Sequence, residues 1–378
     1  MTDSPSFVRL PEVFSMYRGG ELHQARIAYE TWGRLNTRRD NALLLFTGLS
    51  PSAHAASNRA DPSPGWWEYM IGPGRPIDSD RYYVICVNSL GSCFGSTGPA
   101  SRNPHTGKRY GLDFPELAVE DIARAAHAVV AYLGIEGLDA VVGASLGGMS
   151  ALAYSVLYGD TVQRLAVLCS AARATPFAIA IRSLQREIIR SDPTWQEGRY
   201  APGEQPLAGM RMARKLGLMS YRSAGEWERR FGRERMDPPS GFREPFGVEF
   251  QVESYLDANA RKFVGHFDAN SYLYLSRAMD WFDLAEHGGS LEAAVSRIGA
   301  QRCLVVSVDS DFLFPLHQQQ ELTELLRRAG RDVQLAALPS IQGHDSFLVD
   351  KERFAAVMGD FFGDGTVQYG RGERAATG

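Results

Sequence analysis

The chain has 378 residues, of which 44% are hydrophobic and 22% charged, with a formal net charge of −4. That length fits one large domain carrying an insertion, or two domains, and the composition suits a globular protein with a large buried core. Without a basic block, neither a polynucleotide nor an acidic membrane surface is expected as a partner, and no stretch approaches the roughly 18 apolar residues of a membrane-spanning helix.

The opening residues, MTDSPSFVRLPEVF, lack a basic start followed by an apolar run. No secretory signal is expected, and a cytoplasmic location is. Short apolar runs then alternate with longer helical patterns, which is how a mostly parallel sheet with crossover helices reads. Strands are predicted at Ala42–Phe46, Tyr82–Val87, Asp139–Val142, Arg164–Leu168, Cys303–Val308 and Val333–Leu338. Helices are predicted over Leu117–Leu133, Gly148–Tyr158 and Gln318–Ala329, where apolar positions recur at helical spacing.

From Thr175 to about Val295 the pattern changes to Arg- and Met-rich helical segments, broken by Pro193, Pro202 and the pair Pro238-Pro239. An α/β core interrupted by a helical cap is therefore expected. Its first part spans residues 1–174, the cap 175–297 and the second part of the core 298–364, with 365–378 a polar, disordered tail. Inserted between the sixth and seventh sheet strands, the cap should cover the carboxyl edge of the sheet, where ligands bind in such folds. The four cysteines, Cys86, Cys93, Cys169 and Cys303, are scattered without a CxxC pair. Reduced thiols are expected, with neither a metal site nor a disulfide framework.

One motif stands out. Gly143-Ala144-Ser145-Leu146-Gly147 follows the apolar run LDAVV and precedes a helix. A serine on a strand-to-helix turn needs flanking positions without side chains, because the turn crowds its backbone. Such a turn also aims the N–H groups of the helix start at a reacting carbonyl oxygen. Serine needs a base to become nucleophilic. Of the eight histidines, only His344 follows the last predicted strand, where this arrangement puts the base. The acid belongs just past the strand before it. Asp309 and Asp311 both fit by position, and Asp311 is favoured because Asp309 more naturally ends the strand. The order Ser145, Asp311, His344 is that of an α/β-hydrolase fold. The N–H groups of Leu49, in the loop after the first predicted strand, and of Leu146 are the candidate oxyanion donors.

With these residues in place, the chain resembles the homoserine and serine O-acyltransferases, an α/β-hydrolase family of methionine and cysteine biosynthesis. The likeness runs from about Phe14 to Phe362 through ARIAYETWG at Ala25–Gly33, SPSAHAAS at Ser50–Ser57, NSLGSCFGSTGPAS at Asn88–Ser101, FPEL at Phe114–Leu117, GASLGGM, RMARKLGLMSYRS at Arg211–Ser223, DFLFP and GHDSFLVD. It implies an acyl group passed from acyl-CoA to an amino-acid hydroxyl through acyl-Ser145, with Asp311 and His344 completing the triad, no bound cofactor and no metal. It further implies that Arg222 binds the amino acid's carboxylate and Asp345 its ammonium, since a zwitterion needs a fixed cation and a fixed anion. A homodimer is also implied.

The loop Leu49-Ser50-Pro51-Ser52-Ala53-His54 departs from the Leu-Thr-Gly-(Asp or Ser)-Ala-His of many acetylating members. Proline there stiffens the loop and removes an N–H. With Gly65-Trp66-Trp67-Glu68 and Phe177–Arg190, this version is most similar to the serine O-succinyltransferase branch. Residues Ser50, Pro51, Ser52 and Ala53 are the candidates for shaping the acceptor pocket. Past the helix start Thr175-Pro176, Phe177, Ile181, Leu184 and Ile188 share one helical face, and Arg182, Arg186 and Arg190 form a basic row. On the resemblance, Arg186 is the residue expected to grip a succinyl carboxylate.

Succinyl-CoA with L-serine is thus the expected substrate pair. Homoserine O-succinyl- or O-acetyltransfer, with L-homoserine and succinyl-CoA or acetyl-CoA, is an alternative. Others are a carboxylesterase with the same triad and a catalytically dead hydrolase-fold receptor, although every triad residue is present. Trp66 and Trp67 either line an acyl tunnel or pack a loop. His54 reads as structural.

Overall fold

The computed structural model describes residues 5–236 and 245–363. The expected break at Pro238-Pro239 and the tail after Gly365 lie outside them. In chain order the strands are β1 (Ser6–Arg9), β2 (Val13–Ser15), β3 (Glu21–His23), β4 (Arg26–Trp32), β5 (Ala42–Phe46), β6 (Ile71–Gly72), β7 (Ile77–Asp78), β8 (Tyr83–Val87), β9 (Leu138–Ala144), β10 (Val162–Leu168), β11 (Arg302–Val308) and β12 (Asp332–Leu338). Eight of them form one sheet in the order β1-β4-β8-β5-β9-β10-β11-β12, and β2–β3 and β6–β7 are separate ribbons. Pairs β1–β4 and β4–β8 are antiparallel. Every later pair is parallel.

β5 is apolar along its length, and β9, β10 and β11 are buried through their carboxyl-terminal halves, because both faces of the sheet are covered. Side chains alternate between faces. Leu44 and Phe46 of β5 join Val141, Leu165 and Val167 in one cluster, while Leu43 and Leu45 join Ala140, Val142 and Leu168 in another. The first face is covered by α1 (Val119–Tyr132), α2 (Leu146–Leu157) and, from later in the chain, Leu316–Arg328. The second face is covered chiefly by the last helix, Lys351–Phe362, through Phe354, Met358 and Phe361.

Between β10 and β11 the chain is helical: α3 (Pro176–Ser191), α4 (Leu207–Tyr221), α5 (Ala224–Phe231), α6 (Gln251–Phe263), α7 (Ala269–Trp281) and α8 (Leu291–Ser296). Then come α9 (Leu316–Arg328), α10 (Ser346–Val349) and α11 (Lys351–Phe362). Thr175 starts α3 by accepting a hydrogen bond from the Ala178 N–H at 3.2 Å, and Pro176 takes the first helical position, where no N–H is needed. The face α3 buries is not the one its apolar spacing indicates. Ala178, Arg182, Gln185 and Ile189 are buried, while Phe177 and Leu184 are 56% and 48% exposed. Among the described residues no helix is long and apolar enough to cross a membrane.

Candidate active site

The catalytic candidates sit at the carboxyl edge of the sheet. Ser145 occupies the turn between β9 and α2 at φ 57° and ψ −124°, a backbone conformation that side-chain-bearing residues avoid. The turn is pinned from several directions. Ser145 N–H donates to Leu168 O at 3.0 Å, and its carbonyl accepts from Gly148 N–H at 2.9 Å and from the Ser170 hydroxyl at 2.7 Å. Glycine is required around it. A Cβ on Gly143 would lie 2.0 Å from Gly147 O, and one on Gly147 would lie 2.5 Å from Phe46 O. The close approach of Gly147 to Phe46 presses the start of α2 against the end of β5, next to the loop that carries Leu49. Leu146 is the first residue of α2, so its N–H has no intrahelical acceptor.

His344 lies on a short 3-10 turn, Gly343–Asp345, after β12. The Ser145 hydroxyl and His344 Nε2 are 2.8 Å apart, and His344 Nδ1 is 2.7 Å from Asp311 Oδ2. The other Asp311 oxygen accepts the N–H groups of Leu313 and Phe314 at 2.9 and 3.0 Å, so the carboxylate is held before it meets the imidazole. Asp309, the alternative acid, is exposed and ends the strand. The imidazole stacks on Phe314 at 5.1 Å and meets Phe347 edge-on at 5.7 Å. Burial alone would lower its pKa, but the Asp311 charge and hydrogen bond outweigh burial and the net shift is upward.

Ser145, His344 and Asp345 open onto a cavity of about 130 Å³, roofed by α3, α4 and α7 and bordered by Gly48–Pro51 of the loop after β5. Leu49, Ser50 and Pro51 line it. Ser52 and Ala53 do not: Ser52 O accepts from Trp66 Nε1 at 3.0 Å, and Ala53 is buried. Trp66 and Trp67 stack on each other at 5.3 Å, and Trp67 donates to Phe347 O at 2.9 Å, so the pair packs a loop. His54 bonds Glu30 Oε2 at 2.9 Å and Ser63 O at 2.8 Å, a structural tie.

Two of the arginines singled out by the sequence lie outside the cavity wall. Arg222 is absent from the cavity wall. Its guanidinium contacts Glu226 at 3.0 Å, Gln342 at 3.1 Å and Asp345 Oδ2 at 3.2 Å. Arg222 therefore braces Asp345, whose carboxyl burial pushes upward against the lowering pull of Arg222. The cation that α4 does present to the cavity is Arg214, which lies over Phe263 at 4.4 Å and has no salt-bridge partner among the described residues. Arg186 likewise lies outside the cavity, paired with Asp280 Oδ2 at 2.7 Å, while Arg182, one turn earlier, lines it. Both arginines pair with Asp280 of α7, and of the two only Arg182 faces the cavity. Among the described residues no group of three or more His, Cys, Asp or Glu is placed to hold a metal, and the four cysteines are free.

A strained serine after the fifth sheet strand, an acid after the seventh and a histidine after the eighth define an α/β hydrolase. The sequence profile of the alpha/beta hydrolase fold matches residues 41–338. Serine O-succinyltransferase of Litchfieldella anticariensis is 62% identical over 362 residues, covering 96% of this chain and 99% of that one. The chain belongs to the serine O-succinyltransferase family. Among solved structures, homoserine O-acetyltransferase from Bacillus anthracis superposes with a TM-score of 0.87 at 28% identity, over 95% of this chain and 97% of that one. Esterase E22 does so with a TM-score of 0.85 at 28% identity, over 95% and 99%.

Proposed function

We propose that the chain transfers a succinyl group from succinyl-CoA to the hydroxyl of L-serine through a succinyl-Ser145 intermediate, without a bound cofactor or metal, as a cytoplasmic homodimer in cysteine biosynthesis. The observation that carries the reading is the unbroken line Ser145–His344–Asp311, at 2.8 and 2.7 Å, beneath a cap that adds charged groups to the cavity. His344 takes the Ser145 proton as Oγ attacks the thioester carbonyl. The N–H groups of Leu49 and Leu146 receive the oxyanion, and coenzyme A leaves with the proton held by His344. The amino acid then enters with its carboxylate at Arg214 and its ammonium at Asp345, which Arg222 keeps in position. Its hydroxyl gives up a proton to His344 and attacks the acyl-serine, and His344 returns that proton to Ser145. Ser50 and Pro51 border the acceptor and set its length.

The homodimer is supported by exposed apolar residues on two neighbouring helices, Phe177 and Leu184 of α3 and Met212 and Met219 of α4, which a second copy would cover. Light scattering at twice the chain mass is the expected result, and a monomer at working concentration refutes it.

The decisive experiment is mass spectrometry after mixing with succinyl-CoA alone. An adduct of about +100 Da on the Ser145 peptide is expected, discharged by L-serine with formation of O-succinylserine and absent in Ser145→Ala. An adduct only from acetyl-CoA, or discharge by L-homoserine alone, refutes the substrate assignment. The likeness to esterase E22 favours a second reading, hydrolysis of an ester without an acceptor, which predicts no dependence on any amino acid.

A further inference from the structure

A second cleft of the cap, outside the catalytic cavity, gathers cations without acids. Arg186 and Arg190 of α3 and Arg277 of α7 line it with Trp195, Leu273 and Tyr274, and no Asp or Glu stands on its wall. Two other clefts mix their charges. One sets Lys108, Arg109 and Arg199 against Asp113, Glu197 and Asp268, and the one beside α11 carries Asp350 and Glu352 among its basic residues. Arg186 has an acid, Asp280, at 2.7 Å, but Asp280 is shared with Arg182. Among the described residues Arg190 and Arg277 have neither a salt-bridge nor a hydrogen-bond partner. Asp113 and Glu116 are near enough to act on the Tyr274 hydroxyl, yet neither lines the cleft.

Both unpaired guanidiniums are nevertheless held in place, by rings rather than by carboxylates. Arg190 lies over Trp195 at 5.5 Å, and Arg277 lies over Tyr274 at 5.2 Å and Trp281 at 4.7 Å. Two of these rings are fixed in turn: Trp195 Nε1 donates to Asn270 Oδ1 at 3.0 Å, and the Tyr274 hydroxyl donates to Phe114 O at 2.7 Å. An arginine stacked on a ring keeps its fork of N–H donors for another partner. Cations gathered without anions repel one another, and a bound polyanion relieves that repulsion. Guanidiniums from two helices suit phosphate groups, which carry more than one charge and accept hydrogen bonds from several directions.

We propose that this cleft is a receptor for the phosphate groups of a nucleotide, gripped by Arg190 and Arg277. Its link to the acyl donor rests on the acyl-CoA reading above. Coenzyme A carries its phosphates at the end remote from the thioester, and α3 runs from the one place to the other. The catalytic cavity is lined by Arg182, and Arg190 stands about 12 Å further along the helix axis, a span that the pantetheine arm covers. A free nucleotide effector presents the same phosphates, and the experiment separates the two sources. Arg186 follows the exposed Leu184 by about half a turn, so a second copy laid over Leu184 leaves the cleft open.

Calorimetry with ADP as the probe tests the site without turnover. ADP is expected to bind the wild-type protein with an affinity that falls as salt is added, whereas adenosine, which lacks the phosphates, is not expected to bind. The double variant R190Q/R277Q should weaken ADP binding by at least about 10-fold. Kinetics with L-serine as acceptor then assign the source. If the phosphates are the donor's own, ADP competes with succinyl-CoA, and R190Q/R277Q raises KM for succinyl-CoA by about 10-fold with kcat little changed. Transfer from succinyl-pantetheine, which has no nucleotide, should be equal in variant and wild type, and it reports that the variant is folded. Inhibition by ADP that is noncompetitive with succinyl-CoA assigns the site to a free nucleotide instead. No binding of ADP, adenosine bound as tightly as ADP, or undiminished ADP affinity in R190Q/R277Q overturns the inference. ADP binding by a wild type that transfers succinyl from neither donor leaves the site standing and removes the acyl-transfer reading.

Discussion

An imidazole buried beside a carboxylate is pulled in opposite directions, and in His344 the carboxylate prevails. The base is useful only when neutral, so activity should rise with pH through the His344 pKa, and that rise should lie above the range of a free imidazole. Replacing Asp311 with Asn removes the main upward influence and leaves only the lesser pull of Asp345 against burial, which lowers the pKa. The acid limb of kcat/KM should therefore move to lower pH in Asp311→Asn, while the plateau falls by about 10³–10⁴-fold from lost imidazole orientation. A pH-rate profile decides it, and an acid limb that stays in place or moves upward would contradict the geometry. At this scale the triad was legible because its members occupy fixed places after particular strands. The arginines were not. Arg182 and Arg186 are four residues apart on one helix, and so are equivalent to any argument from spacing. Both pair with Asp280 of another helix, and the packing of α3 against its neighbours leaves Arg182 at the cavity. Arg222 lies beside the site, paired with Glu226 and Asp345.

Among elements, the strand–turn–helix around Ser145 carries the most constraint. Its glycines are contact points between backbones, and a methyl on Gly147 would collide with Phe46 O, which has no freedom to move within β5. Gly147→Ala should push the start of α2 away from the loop after β5 and separate the Leu146 and Leu49 N–H groups. The expected cost is about 10²–10³-fold in kcat, comparable to losing an oxyanion donor, with about 1–3 kcal/mol of stability from overpacking. Steady-state kinetics and a denaturant titration measure both, and kcat within twofold of wild type would refute the close-packed elbow. The interior strands were readable for a related reason. Burial on both faces gives β5, and the inner stretches of β9, β10 and β11, apolar runs that stand out in the sequence. The N-terminal strands were not, because β1 and β2 are short and expose alternate residues, giving no run to detect. On α3 the amphipathic pattern pointed to the wrong stripe. A buried arginine paired with Asp280 can occupy an inward position that hydrophobicity assigns to leucine, leaving Leu184 outside.

For the molecule as a whole, the fold does not separate transfer from hydrolysis, since a homoserine O-acetyltransferase and an esterase superpose on it almost equally well. The difference must lie in what reaches the acyl-serine. Here the cap roofs Ser145, which is 9% exposed, beside a cavity largely covered by α3, α4 and α7. Arg214 and Asp345 face that space, and in the proposed reaction they hold an amino acid, not a water, beside the ester. Orientation of an alcohol in place of water is worth orders of magnitude in rate. Succinyl-CoA alone should therefore give a burst of about one equivalent of coenzyme A per active site, followed by slow release. L-Serine should then accelerate turnover by at least about 10²-fold. Stopped-flow detection of the free thiol measures both phases. Rapid linear release without a burst and without acceleration by serine would mean that water reaches the ester as readily as the amino acid does, and the cap would then be the lid of an esterase.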